Sequence, residues 1–566
     1  WLFWQRLLPL SAYFCLSPLW KELSGVFFLQ FALTVVFAVL VSLLVSFTLT
    51  PMMASIFLRP HIMSNPSALN RRTAGSNSPG RHHFWQRLSD YLEMYYRKLE
   101  SIYRQLLEFS LNHRKSMLGG ALLIFVFSIL LVIFGLKQEF VPPEDQGNFM
   151  IRMEAPFDYS VEQVEGYFKK AEEYMKEIPE IKTIYYNQGY GGYANRGLMI
   201  LGLKPKSERK KSQEDLKKEA RIKLRQIPGL KVSAEDISVI GGGQRQVPIQ
   251  YSIRGQDLTA LQDYTRKISS DLAKLPGIVD VDTSMEAGKP EYKVYIDRDR
   301  AAALGVDVAT VAEAVNLLVG GELDITRYKD EIRGKRYDVR VRLNPQDRQA
   351  GSDLEHIYVR AKDGTLVELS NVVKIQEGSG PSVINRVDRQ RAITIFASLE
   401  GKPLGDAINE LNTISDSVLP PDYLPKYQGM ADTMKESFGY LLFALILGII
   451  MAYMILASQF ESFIHPVTVL LSMPLSFIGA FGALFITGKT INIYSIIGLI
   501  LLMGLVKKNA ILLVDYTNIS RERGMSRREA ILHAGPVRLR PILMTTFAMV
   551  FGMLPVALGV GEGAET

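Results

Sequence analysis

Six apolar runs, at residues 26–48, 117–136, 437–457, 466–487, 492–517 and 539–560, constrain this chain more than any other feature. Each is long enough to cross roughly 30 Å of hydrocarbon as a helix rising about 1.5 Å per residue. A helix satisfies its backbone donors and acceptors within one segment, so the expected fold is a polytopic α-helical membrane protein. Between the second and third runs, residues 137–436 are polar enough to fold in water and must form a large domain on one side of the membrane.

Charge sets the orientation. The loop 59–116 carries Arg59, Arg71, Arg72, Arg81, Arg87, Arg97, Lys98, Arg104, Arg114 and Lys115, and the turn 518–538 carries Arg521, Arg523, Arg527 and Arg528. Both read as cytoplasmic under the positive-inside bias, and counting crossings places them on the same side independently. Residues 137–436 then lie outside, which in a two-membrane bacterium is the periplasm. Much of the net charge of +7 belongs to these loops, so it marks membrane orientation and not nucleic-acid binding. The single cysteine, Cys15, excludes an internal disulfide framework, no Cys/His cluster has zinc-ligand spacing, and no GxxxxGK(S/T) phosphate loop occurs. The sequence opens on Trp1 and closes on "GVGEGAET", which reads as a piece of a longer protein. Residues 1–20, interrupted by Gln5 and Arg6, read as a partial span without the features of a signal peptide.

Within the inner loop, "FWQRLSDYLEMYYRKLESIYRQLLEFSLNH" alternates apolar and charged residues at helical spacing, with Trp85, Tyr91, Tyr95, Tyr96 and Tyr103 among them. It suits an amphipathic helix lying on the membrane face, or a helix packed on neighbouring protein. The external region alternates strand and helix patterns. "NFMIRMEA", a helix near 160–177 and "IKTIYYNQ" make one unit; "GLMILGLKP", helix 211–226 and "LKVSAED" make the next. "VPIQYSIRG", helix 257–274 and "GIVDVDTS" repeat it, as do "AITIFASLE", helix 404–418 and "LPKYQGM". These are βαβ units of α+β (ferredoxin-like) subdomains, each a four-stranded sheet with two helices on one face. Residues 291–386 break the rhythm with helix 308–318 and the hairpin-like "GGELDITRYKDEIRGKRYDVRVRL", so they are expected as an insertion across which the third and fourth repeats pair.

The loop "NQGYGGYANRG", residues 187–197, mixes Gly189, Gly191 and Gly192 with Tyr190 and follows Tyr185 and Tyr186. It reads as a mobile loop whose rings could contact flat apolar ligands, or as an ordinary turn.

Inside the fifth run, "GLVKKNAILLVD" places Lys508 nine residues from Thr517, about 13 Å deep. An ionised lysine there costs on the order of a few kcal/mol, so it is expected to face protein or water. Gly504, Ile511 or Leu512, and Asp515 share its helical face, while Lys507 points about 100° away and suits snorkelling or packing. The next run is antiparallel, so Arg538 should match the depth of Asp515, and Thr545 that of Lys508. Such a layer could relay protons, Lys508 exchanging carboxylate partners as they protonate, or could tie helices together through a fixed ion pair. Asp515, near the helix end, could instead be merely interfacial.

At these residues the chain resembles the C-terminal half of a resistance-nodulation-division (RND) efflux pump of the hydrophobe/amphiphile, acriflavine-resistance type. "LVSFTLTPMMASIFL" looks like the sixth membrane helix of that family, "EFVPPEDQGNF" the start of its second periplasmic half, and "ESFIHPVTVLLSMPLSFIGA" its eighth-to-ninth helix turn. "GLVKKNAILLVDYTN" and "RLRPILMTT" are similar to its tenth and eleventh helices. The likeness runs from about residue 14 to 566.

The resemblance implies proton-relay roles for Lys508, Arg538 and Thr545, with Asp515 in possible support, opposite two adjacent aspartates of a fourth helix that this chain does not contain. A chain of this extent would then pump only with its other half. It implies membrane helices at 1–58, 117–136 and 437–560, a cytoplasmic loop at 59–116, and a truncated end at 561–566. It implies one porter subdomain within 137–246, a second from 247–290 with 387–433, and a channel-docking subdomain at 291–386. The switch loop falls on Gly189, Gly191 and Gly192. Substrate-binding aromatics map to Tyr185 and Tyr190, while two others become Gly192 and Ile200. Where metal-exporting relatives place methionine, the nearest residue is Arg152, flanked by Met150 and Met153, which favours organic amphiphiles. The expected function is therefore a proton-driven antiporter of the bacterial inner membrane, not an enzyme, with no cofactor. Its expected partners are amphiphilic small molecules, protons and lipid, two further copies in a homotrimer, a periplasmic adaptor and an outer-membrane channel. The alternatives are a non-transporting truncated remnant and a metal-exporting pump.

Overall fold

The computed structural model describes residues 23–57, 82–156, 159–237, 245–285, 289–348, 350–380 and 383–558. The expected partial span up to residue 20, much of the loop 59–116 and the end 561–566 lie outside the described residues.

Among the described residues, six helices or helix pairs are long and apolar enough to cross a membrane. The first comprises α1 (Leu23–Phe47) and α2 (Leu49–Phe57), and extends beyond the expected run. They break at Thr48 because Pro51 has no N–H to return to Phe47. The amphipathic helix α3 (His82–Asn112) leads into α4 (Arg114–Leu130), which ends in a π turn at Leu131–Gly135. The last spans are α12 (Met430–Phe460), α13 (His465–Leu470) with α14 (Ser472–Ile486), α15 (Ile493–Glu522) and α16 (Arg527–Ala557). Pro474 cannot donate to Leu470, and the second of these spans is split between α13 and α14 at Leu471.

Helix α3 packs on α16. Arg528 meets Glu108 at 3.6 Å, Arg540 donates to Glu93 at 3.0 Å, and Arg540 lies over the Tyr96 ring at 4.3 Å. Gly535 is the close approach, since a Cβ there would stand 2.8 Å from Leu107. The opposite face exposes Tyr91, Tyr95, Leu99, Ile102 and Leu106. One face of this helix thus packs on protein, and the other presents an exposed apolar stripe.

Among the described residues of 137–436, the two larger sheets share one topology. In the first, β1 (Asn148–Glu154), α5 (Val161–Lys176), β2 (Ile181–Gln188), β3 (Arg196–Leu203), α6 (Gln213–Leu224) and β4 (Lys231–Asp236) give the antiparallel order β2-β3-β1-β4. Alternation along β1 sends Phe149, Ile151 and Met153 to the face covered by the helices, where they join Phe168, Met199, Leu201 and Leu216. Capping boxes at Ser160 and Ser212 start the two helices.

The second sheet runs β5 (Ile249–Gly255), α7 (Leu258–Leu272), β6 (Ile278–Thr283), then, after an insertion, β13 (Arg386–Val387), β14 (Gln390–Leu399), α11 (Leu404–Val418) and β15 (Leu424–Tyr427). Strand β14 lies between β5 and β6, and β15 pairs with the other edge of β5, so the third and fourth repeats do pair across the insertion. The insertion is entered and left along one ladder, β7 (Lys289–Ile296) against β12 (Val373–Gly380). It holds α8 (Arg298–Ala303), α9 (Val308–Val315), the hairpin β8 (Glu322–Asp330) and β9 (Lys335–Val341), α10 (Gly351–Glu355), and the small ladder β10 (Tyr358–Arg360) and β11 (Leu366–Glu368). The hairpin tip is fully projected: Ile332 is 98% exposed.

Edge strands β4 and β6 bring the two sheets together through ion pairs. Arg221 of α6 donates to Asp280 at 2.7 Å and to Glu400 at 3.2 Å, and Asp280 also accepts the Ala234 N–H at 3.1 Å. Arg245 bridges Glu235 (2.8 Å) and Asp282 (2.7 Å). Burial opposes its charge, but the two carboxylates outweigh this and hold the guanidinium above its ordinary pKa.

Candidate functional site

Two sites were expected, one in the membrane and one on the external domain. The first lies along the seam of α15 and α16. Asn492 starts α15, its side chain accepting the Ser495 N–H at 3.0 Å, and Ser526 with Glu529 starts α16. Near the turn that joins the two helices the rings of Tyr516 and His533 stack at 6.0 Å, and the Arg538 guanidinium lies over Tyr516 at 4.7 Å. Arg538 therefore meets α15 at Tyr516, the residue that follows Asp515. Seven residues onward along each helix, about 10 Å deeper, the same antiparallel register sets Thr545 near the level of Lys508. Two helical turns separate Lys508 from Asp515 along α15, and Thr545 from Arg538 along α16, so these residues occupy two levels and not the single layer expected. The Thr545 hydroxyl donates to the Ile542 carbonyl at 3.0 Å, within its own helix.

The two lysines are placed differently. Lys507 is buried, 3% exposed, on the face of Met503 and Ile511. Ile511 packs on Leu456 and Val469 of α12 and α13. Lys508, one residue and about 100° further round, is half-buried at the flank of this packed face. Packing, the reading weighed for Lys507, is what its burial shows.

In the first sheet, strand register aligns the expected substrate residues. Tyr185 faces Ile200, Ile200 faces Met150, and Met150 faces Glu235, so one row crosses the sheet on the side away from its helices. Tyr185 is 61% exposed and Tyr190 is partly exposed. The loop between β2 and β3 is held more firmly than its composition suggests. Gly189, Gly191 and Gly192 all take positive φ, where a Cβ would be strained. The Gly189 N–H donates to Arg196 O at 2.8 Å, and the buried Asn195 side chain donates to Ala155 O at 2.9 Å. Residues 189–196 form a glycine-built turn bonded at Gly189, Asn195 and Arg196.

The rings of that loop meet cations. Arg152 lies over Tyr190 at 4.9 Å and Arg196 over Tyr193 at 4.2 Å. Arg152 also approaches Glu235 at 3.5 Å. The row of Tyr185, Ile200 and Met150 therefore ends in a charged cluster of Arg152, Glu235, Arg245 and Asp282. Glu235, Arg245 and Asp282 were missed, because Glu235 and Asp282 lie on strands of different sheets and no local spacing brings them to Arg245.

Residues 10–566 match the model of the AcrB/AcrD/AcrF family, so the likeness begins slightly before residue 14. Multidrug resistance protein MdtC of Escherichia coli O139:H28 (strain E24377A / ETEC) is 31% identical over 566 residues, covering 99% of this chain and 52% of the relative. MdtC of Escherichia fergusonii (strain ATCC 35469) gives the same identity and coverage. The chain thus spans about half the length of the curated relatives it matches. The fold also matches an X-ray crystal structure of a heavy metal efflux pump, with a TM-score of 0.79, 21% identity, and coverage of 99% of this chain and 55% of that one. The chain belongs to the AcrB/AcrD/AcrF family of RND efflux transporters.

Proposed function

We propose that this chain forms part of a proton-driven antiporter of the bacterial inner membrane that exports hydrophobic or amphiphilic organic compounds. The pair α15 and α16 supports the reading: Arg538 of one meets Tyr516 of the other, and Thr545 and Lys508 each lie seven residues from that level within membrane-length helices. The half-buried flank at Lys508 is where carboxylates of a further helix would dock, and their protonation would release the lysine and shift the helix pair. Tyr185, Tyr190 and Ile200 would then hold substrate, the Gly189–Gly192 turn would separate pocket compartments, and 291–386 would dock to an outer-membrane channel within a homotrimer served by a periplasmic adaptor.

Metal export receives less support from the same sheet. Met150 and Met153 project to opposite faces of β1, Met153 and Met199 being fully buried under the helices, so these thioethers do not converge.

The test is Lys508→Ala in the complete gene product, expressed in a pump-deficient host. Dye efflux and drug resistance should fall to the level of empty cells while membrane expression stays within twofold. Near-normal resistance would remove the relay assignment.

A further inference from the structure

Residues 137–145 leave the second span and meet three helix N-termini at once. The first is that of α15, which carries Lys508. Ile491 N–H donates to Lys137 O at 2.8 Å, Glu139 N–H to Ile491 O at 2.9 Å, and Ile493 N–H to Phe140 O at 3.2 Å. These bonds form a short parallel bridge centred on Gln138 and Ile491, flanked by Thr490 donating to Glu139 at 3.2 Å. The second is that of α11 in the second sheet, where Gly405 N–H donates to Gln138 O at 3.0 Å. The third is that of α6 in the first sheet: Gln213 N–H donates to Asp145 at 3.0 Å, and Arg209 pairs with the same carboxylate.

The contacts are close and specific. A Cβ on Gly405 would stand 2.9 Å from the Gln138 carbonyl oxygen, a backbone atom that cannot swing aside. Phe140, 2% exposed, packs into the core of the second sheet with Leu404 and Ala407. On another side the segment borders a cavity of about 590 Å³ lined by Glu139, Pro143, Lys402, Met430 and Tyr494, which leaves it room to shift. Backbone bonds to the first turn of a helix move with that helix. A displacement of α15 therefore pulls on 137–140, and the same residues hold α11 directly and α6 through Asp145.

We propose that residues 137–145 are the coupling element that passes movement of the Lys508 helix to both external sheets, with Gln138, Gly405 and Asp145 as its positioning residues. This rests on the antiport reading above. The direct bond to α11 and the longer path through Asp145 make the second sheet the first to respond.

The test uses the complete gene product in proteoliposomes with ethidium as the transported dye and an internal pH indicator. Gly405→Ala should lower pH-driven ethidium transport at least tenfold. Ethidium binding should stay within twofold and the thermal midpoint near wild type, while proton flux persists but no longer responds to dye. Asp145→Asn, which preserves shape, should weaken the same dye response more mildly and covers the case in which Gly405→Ala fails to fold. Wild-type dye-coupled proton flux in both variants, with Lys508→Ala inactive, overturns the coupling role alone. Persistence of pH-driven transport in Lys508→Ala overturns the antiport reading and this inference together.

Discussion

Single residues in this chain are asked to do unusual work where the solvent is hydrocarbon or buried protein. Arg152 covers one face of Tyr190, so a flat ligand at that turn meets a ring backed by a cation. Tyr190→Ala should change the ranking of exported dyes and drugs, by about tenfold for flat aromatic compounds, with smaller effects on others. A resistance panel checks this, and an unaltered ranking contradicts the role. Asp145 gives a pH prediction. Burial opposes its ionisation, but Arg209 and the amides of Gln213 and Gly147 outweigh burial and hold the carboxyl below the usual carboxylate range. A lowered folded pKa means that the ionised form stabilises above the unfolded value of about 4, and that this contribution fades as pH falls through the lower folded value. Thermal midpoints measured between pH 5 and pH 3 should fall less steeply for Asp145→Asn than for wild type.

At the scale of elements, strand–helix alternation was readable because each unit alternates period-2 and period-3.6 patterns over lengths that local sequence controls. The helix 404–418 was found to the residue. The breaks at Thr48 and Leu471 carried a signal in Pro51 and Pro474, but an apolar run reads as unbroken when only its hydropathy is followed. What local pattern could not supply was the meeting of distant edges, such as β4 with β6, or which of two adjacent lysines a bundle would bury. Those outcomes depend on neighbours far along the chain. The anchored β2–β3 turn was similarly hidden, because Asn195 reaches Ala155, forty residues away in sequence. Close approach within one unit is testable: a Cβ on Gly197 of β3 would lie 2.6 Å from the buried Phe168 ring. Gly197→Ala should therefore destabilise the first sheet by about 1–3 kcal/mol through overpacking. Denaturant unfolding followed by local amide exchange in β1–β4 checks this.

Across the whole molecule, two sheets of one topology are pinned edge to edge while the hairpin of the insertion stands clear of both. The pin is ionic and nearly dry: Arg221 is 4% exposed, and the Asp280 side chain is fully buried at a positive φ of 53°. Arg221→Met should cost about 3–5 kcal/mol because it strips a buried carboxylate of its main partner. Pairing it with Asp280→Asn, which removes the buried charge and tolerates the positive φ, should recover much of that loss in thermal unfolding. These sheets are joined to the membrane helices by a short bonded segment, and the helices carry a lysine at the depth of a threonine. Each part has a physical reason to be where it is if protonation in the membrane moves the external sheets. The most direct measurement is proton flux by the complete gene product in proteoliposomes, with and without ethidium, for wild type and Lys508→Ala. The account predicts dye-stimulated proton flux in wild type and none in Lys508→Ala. Equal dye-stimulated flux in the two proteins would contradict it.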